Sequence, residues 1–141
     1  MKENNGFQGI GMSPRPRWMH QDIIGLAYYQ IYGELSRQGY IVRVDSSITD
    51  NWNDIAPDIV VFDQENYPLM IMEVTRHREV RKNLNKCTAV LERFPEAECF
   101  VYDYEKQELL MYDFETCAWI SSFQYELFSQ YLEKPMLDYF V

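Results

Sequence analysis

The apolar positions of the chain change their period from one segment to the next, and each change predicts an element. From His20 onward, Ile24, Ala27, Tyr28, Ile31 and Leu35 recur at helical spacing until Gln38-Gly39 ends the run. Residues 40–45 read as a strand, and the polar residues 46–56 as a loop. Two unbroken apolar runs follow, 59–62 and 69–74, on either side of the turn-forming Gln64-Glu65-Asn66-Tyr67-Pro68, which predicts a β-hairpin buried within a sheet. Val80, Leu84, Cys87 and Leu91 then mark one stripe of a second helix over 79–94, ended by Pro95. Residues 98–104 and 108–114 predict two further strands joined through Glu105-Lys106-Gln107, and 117–120 a third. Residues 125–132 predict a C-terminal helix that Pro135 ends. The apolar tail, 136–141, must pack on its own body or on a partner, and with the many tyrosines it points to a homodimer. Residues 1–17, with Gly6, Gly9, Gly11, Pro14 and Pro16, lack any period. They predict a flexible arm over 1–18 ahead of one domain over 19–141.

Two acids interrupt the apolar hairpin. Asp58 opens its first strand and Glu73 lies near the end of its second, so folding at the turn brings both carboxylates to the same end. A carboxylate leaving water needs a cation, a hydrogen-bond donor or a proton. A divalent metal meets that need, since Mg²⁺ is commonly held by one or two carboxylates together with waters and phosphate oxygens, and such sites hydrolyse phosphate esters. Simpler roles are also open: a strand-capping Asp58, and a Glu73 paired with Arg76 or Arg78.

Pro57-Asp58 followed by Glu73-Val74-Thr75 resembles the PD-(D/E)xK nuclease superfamily, and in particular small single-domain bacterial proteins grouped with the restriction endonucleases. The resemblance covers residues 20–119. It implies an α/β fold with a restriction-endonuclease-like core: a central mixed sheet flanked by helices in αβββαβ order, here with the C-terminal helix added. It also implies Mg²⁺- or Mn²⁺-dependent cleavage of DNA, with Asp58 and Glu73 as catalytic metal ligands and the Val74 carbonyl completing the set. Thr75 stands where the superfamily has lysine. Members that lose that lysine often carry one on the following helix, and the narrower group has an aspartate a turn earlier, where this chain offers Lys82 or Asn83. Helical angles place Lys82 toward solvent and Lys86 nearer the buried boundary, which makes Lys86 the substitute. A first-helix residue often borders the site in this superfamily. His20 and Glu34, both on the flank of the apolar stripe, are the candidates. Thr75 also leaves open a catalytically inactive nuclease fold serving as a binding or dimeric module.

At 141 residues one domain is expected, and 47% apolar with 16% aromatic content is that of a folded globule. The net charge of −9 opposes nucleic-acid binding, which draws on Lys and Arg. The basic residues are concentrated, however: Arg76, Arg78, Arg81, Lys82 and Lys86 follow the acidic pair with Glu79 alone against them. Two readings of that run stand, a solvated helix face and a contact surface for DNA phosphates. Trp52, in the polar loop, is open to stacking on a base, to a dimer interface, or to ordinary packing. No run is long enough to cross a membrane and the N-terminal residues lack an apolar signal core. Three cysteines at wide spacing fit neither a disulfide framework nor a CxxC site, which points to the reducing cytoplasm, and Cys87 falls on the core stripe.

Overall fold

The computed structural model describes residues 18–141, so the arm expected at the N-terminus lies outside the described residues, apart from Trp18, which is already helical. Helix α1 spans Trp18–Leu35 and is followed by strands β1 (Ile41–Val44), β2 (Ile59–Phe62) and β3 (Pro68–Thr75). Helix α2 (Val80–Arg93) then leads to β4 (Glu98–Asp103), β5 (Glu108–Asp113) and β6 (Ala118–Ser121). The six strands form one sheet in sequential order. Every neighbouring pair is antiparallel except β3 and β4. A parallel pair cannot be joined by a tight turn, and α2 is the crossover that joins this one.

Each helix covers one face of the sheet. Ile24, Ala27, Ile31 and Leu35 of α1 pack with Ile59, Val61, Met70, Met72 and Val74, while Cys87, Val90 and Leu91 of α2 pack with Val60, Phe62, Ile71, Cys99 and Val101. Strands covered on both faces read as continuous apolar runs, which is why β2 and β3 show no alternation. The turn between them is built by Asp63, whose carboxylate accepts the N–H groups of Glu65 and Tyr67, and by Asn66 in the left-handed region. Pro68 enters β3 at a register shift, where its missing N–H costs the ladder little.

The C-terminal third departs from the sequence pattern. Residues 125–132 form no helix, and among the described residues the only helical turn after β6 is the 3₁₀ segment Met136–Tyr139. Long-range partners take up the local backbone instead. Glu98 accepts Ser129 Oγ at 2.6 Å and the Gln130 N–H at 2.9 Å, and the Leu127 carbonyl accepts the Met136 N–H. Leu127 and Leu132 are the anchors of this segment in the core. The apolar tail packs on its own body: Met136, Tyr139 and Phe140 are buried, and Phe140 stacks on Tyr102 with ring centroids 5.0 Å apart. That packing removes the tail as a reason for a partner, although Trp18, Met19, Leu26, Tyr29 and Tyr32 of α1 remain exposed. No helix among the described residues is long and apolar enough to cross a membrane.

Glu34 ties this tail to α1. Its carboxylate accepts the Tyr139 hydroxyl and, at 3.2 Å, the Glu133 N–H. Burial and this carboxylate push the Tyr139 phenol above its ordinary range. Tyr139→Phe is expected to lower stability by about 1 to 3 kcal/mol in urea denaturation, because it leaves Glu34 short of a buried donor. The same variant should leave any activity at the other end of α1 unchanged.

Candidate active site

The hairpin register decides where the two acids meet. Ile59 lies opposite Met72, so the next step along the ladder brings Asp58 opposite Glu73. Asp58 Oδ2 accepts the Val74 N–H at 2.7 Å. On its other side His20, from the first turn of α1, brings Nε2 to 3.6 Å from the same oxygen and to 2.8 Å from the Val74 carbonyl. Burial raises the Asp58 carboxyl, but the His20 ring and the Val74 N–H outweigh it and hold the group below the usual carboxylate range.

Glu73 behaves in the opposite way. Its side chain is 4% exposed, and burial, followed by the neighbouring Asp58 charge, pushes its carboxyl up to about 7 against the pull of Lys86. Lys86 reaches over from α2 and places Nζ 3.0 Å from Glu73 Oε2 and 3.2 Å from the Ala56 carbonyl. The ammonium is near enough for an ion pair, yet among the described residues no donor is aligned on Glu73 Oε2 as a hydrogen bond. Lys86 thus faces Glu73 by charge, and Oε2 keeps a lone pair that a further cation could take.

The donor set suits a hard divalent ion. Two carboxylates and a peptide carbonyl are oxygen ligands of the kind Mg²⁺ and Mn²⁺ take, and the Val74 carbonyl keeps a second lone pair beside the one His20 uses. Among the described residues no three His, Cys, Asp or Glu side chains are grouped to hold a metal. A divalent ion would find Asp58, Glu73 and the Val74 carbonyl as ligands there and would keep water in its remaining positions.

No protein-family model and no curated protein sequence matches the chain. Among solved structures it is similar to the crystal structure of a candidate nuclease belonging to DUF820 from Anabaena variabilis, with a TM-score of 0.68 at 15% identity. The match covers 92% of this chain and 84% of that one. The two proteins share a fold.

Within this fold the remaining sequence candidates are distributed unevenly. Thr75 is buried, and its hydroxyl accepts Asn83 Nδ2 at 2.9 Å, so an amide from α2 covers this end of β3. Lys82 is exposed, as are Arg78 and Arg81, and Arg76 is half-buried; none of the four makes an ion pair among the described residues. Glu34 does not approach the acids. It shares a helix flank with His20, but fourteen residues of helix separate them by about 21 Å, a distance that a reading of angles alone omits. The polar loop before Asp58 is pinned by Asp54, which receives Arg93 of α2 at 2.7 Å and Thr49 Oγ1 at 2.7 Å. Arg93 and Thr49 hold the Asp54 carboxyl well below its usual range. Trp52 on that loop is exposed, and Cys87 is buried against Cys99, whose contact together with burial pushes the Cys87 thiol up.

The sequence reading missed a second histidine–carboxylate pair. His77 Nδ1 lies 2.6 Å from Asp103 Oδ2. Asp103 ends the apolar run of β4 in parallel register with Thr75, and an acid closing such a run was the available signal.

Proposed function

We propose that the protein is a Mg²⁺- or Mn²⁺-dependent phosphodiesterase acting on DNA. The observation that supports this best is the meeting of Asp58 and Glu73 at the end of one hairpin, with the Lys86 ammonium 3.0 Å from Glu73. In this reading Asp58, Glu73 and the Val74 carbonyl hold the metal, which when bound polarises the phosphate and lowers the pKa of water. Lys86 orients the attacking water or offsets the charge that develops on the phosphate oxygens. His20 keeps Asp58 ionised and oriented, leaving it ready as a ligand. The test is incubation of the full chain with single- and double-stranded DNA with Mg²⁺, Mn²⁺ or EDTA. Metal-dependent cleavage that Asp58→Asn abolishes is expected, and the absence of cleavage under all conditions overturns the reading.

Arg76, Arg78, Arg81 and Lys82 supply the phosphate contacts in this reading, and with no acidic partner among the described residues their charge is available. Charge reversal at Arg78 and Arg81 is expected to weaken DNA binding and to flatten its dependence on salt, by roughly one unit of slope for each phosphate that is no longer neutralised. A titration from low to moderate salt gives both quantities. Unchanged slope would assign the basic run to plain surface.

A second reading is favoured by Thr75 and by the partners both acids already have, Lys86 for Glu73 and the Val74 N–H with His20 for Asp58: an inactive nuclease fold acting as a binding module, with the exposed face of α1 serving a homodimer. Loss of Mg²⁺ binding together with retained DNA binding would favour it.

A further inference from the structure

Three hairpin turns of this sheet are closed by an aspartate. Asp63 accepts the N–H groups of Glu65 and Tyr67, Asp113 accepts that of Glu115, and Asp103 accepts those of Glu105 and Lys106 at 3.0 and 3.1 Å. In all three the turn N–H groups reach Oδ1, and in Asp113 the second oxygen accepts Thr116 Oγ1 of the same turn. Asp103 differs in being 1% exposed and in giving its second oxygen wholly to His77. The His77 N–H in turn donates to Glu105 Oε1 at 2.8 Å, so the residue is held at both backbone and ring. The turn does not require this second hold.

Its effect is to aim the ring. A carboxylate only accepts, so Nδ1 carries the proton that Asp103 receives, and Nε2 is left without a hydrogen-bond partner among the described residues, on a side chain that is 56% exposed. The groups facing or flanking the ring are Asp103 from β4, Glu105 and Lys106 from the following turn, and Arg76, Arg78 and Glu79 from its own segment. His77 also shares an edge with the candidate active site. Asp58 lies opposite Glu73, and Thr75 lies beside Asp103, so acids from three adjacent strands gather at one end of the sheet. Two inter-strand steps and a two-residue offset along β3 separate the outer pair by about 12 Å, a span of a few nucleotides of backbone.

We propose that His77, held by Asp103, is a second contact to the substrate: in its imidazolium form, with Nδ1–H on Asp103, the ring donates from Nε2 to a non-bridging oxygen of a nucleic-acid backbone phosphate near the one at Asp58 and Glu73. The inference rests on the phosphodiesterase reading for the identity of the ligand. Arg76 and Arg78 lie on either side of His77 in sequence and add positive charge along the same backbone. Asp103 is a positioning residue that fixes the tautomer and the direction of the ring.

The chain has two histidines, so their ring signals can be assigned by one substitution. The wild-type protein at about pH 6 and low salt is titrated with a thymidine trinucleotide while the His20 and His77 ring ¹⁵N and Cε1–H signals are followed. Saturable movement of the His77 Nε2 signal is expected. His77→Gln should weaken trinucleotide binding about tenfold and raise KM with kcat within about twofold, and His77→Arg should restore much of the affinity. A stationary His77 signal at saturating trinucleotide, a wild-type protein that binds no trinucleotide, or a His77→Gln variant that binds as well as wild type overturns the contact. Movement of the His77 signal in a protein that cleaves no DNA would retire the phosphodiesterase reading and keep this one. Cleavage with a silent His77 signal would do the reverse.

Discussion

Lys86→Ala is expected to lower metal-dependent DNA cleavage by about a hundredfold or more, while Lys82→Ala leaves it within a few-fold. Both lysines belong to α2, but only Lys86 turns its ammonium onto the acids, 3.0 Å from Glu73 and 3.2 Å from the Ala56 carbonyl. Lys82 is exposed and has no such neighbour among the described residues. A positioned cation contributes far more to a transition state than a solvated one, because it is already oriented toward the developing charge. Single-turnover cleavage of a labelled duplex with Mg²⁺ gives the two rates. Thermal melts with and without the metal establish that both variants are folded. Equal rates in the two variants would show that the lysine of the motif has no counterpart on α2, and Thr75 would then be the mark of a site without its proton-handling group.

Most of what positions this site was legible because it is local. The apolar runs 59–62 and 69–74, the turn chemistry between them and the acid at each end determine the register that sets Asp58 opposite Glu73. The stripe Val80, Leu84, Cys87 and Leu91 orients α2, and orientation alone was enough to prefer Lys86 to Lys82 as the residue near the sheet. What was not legible depends on partners far along the chain. Glu34 had the right helix flank, but its fate was decided by Tyr139, more than a hundred residues on. Residues 125–132 carry apolar spacing that imitates a helix, yet Glu98, about thirty residues earlier, captures Ser129 and the Gln130 N–H. His77 and Asp103 were read as a member of a basic run and the end of a strand, and neither segment on its own announces that the parallel pairing of β3 and β4 brings them together.

Without divalent cation, the wild-type protein is expected to lose stability as pH rises from about 5 to about 8, and Glu73→Gln is expected to flatten that slope. The sign follows from the direction of the shift. Burial and the Asp58 charge raise the Glu73 carboxyl from 4.5 to about 7, so between those values the folded chain holds a proton that the unfolded chain has released. Stability therefore falls across this window and levels off above it, by up to about 3 kcal/mol. Asp58 acts in a separate window. Its lowered pKa contributes stability that is present above the unfolded value of 3.8 and is lost in more acid solution. A glutamine in place of Glu73 has no proton to release, and it keeps the size of the side chain. Added Mg²⁺ should offset the loss in the wild type, since an ion bound by the folded state alone stabilises it by about 2.7 kcal/mol at a hundred times its Kd, or about 5 to 10 °C in melting temperature. Glu73→Gln should show little of that rise at pH 8. A variant that keeps the full metal-dependent shift removes Glu73 as a ligand, and a wild type whose stability is flat over the same range, with no metal present, removes the buried, charge-crowded carboxylate from which the metal site was inferred.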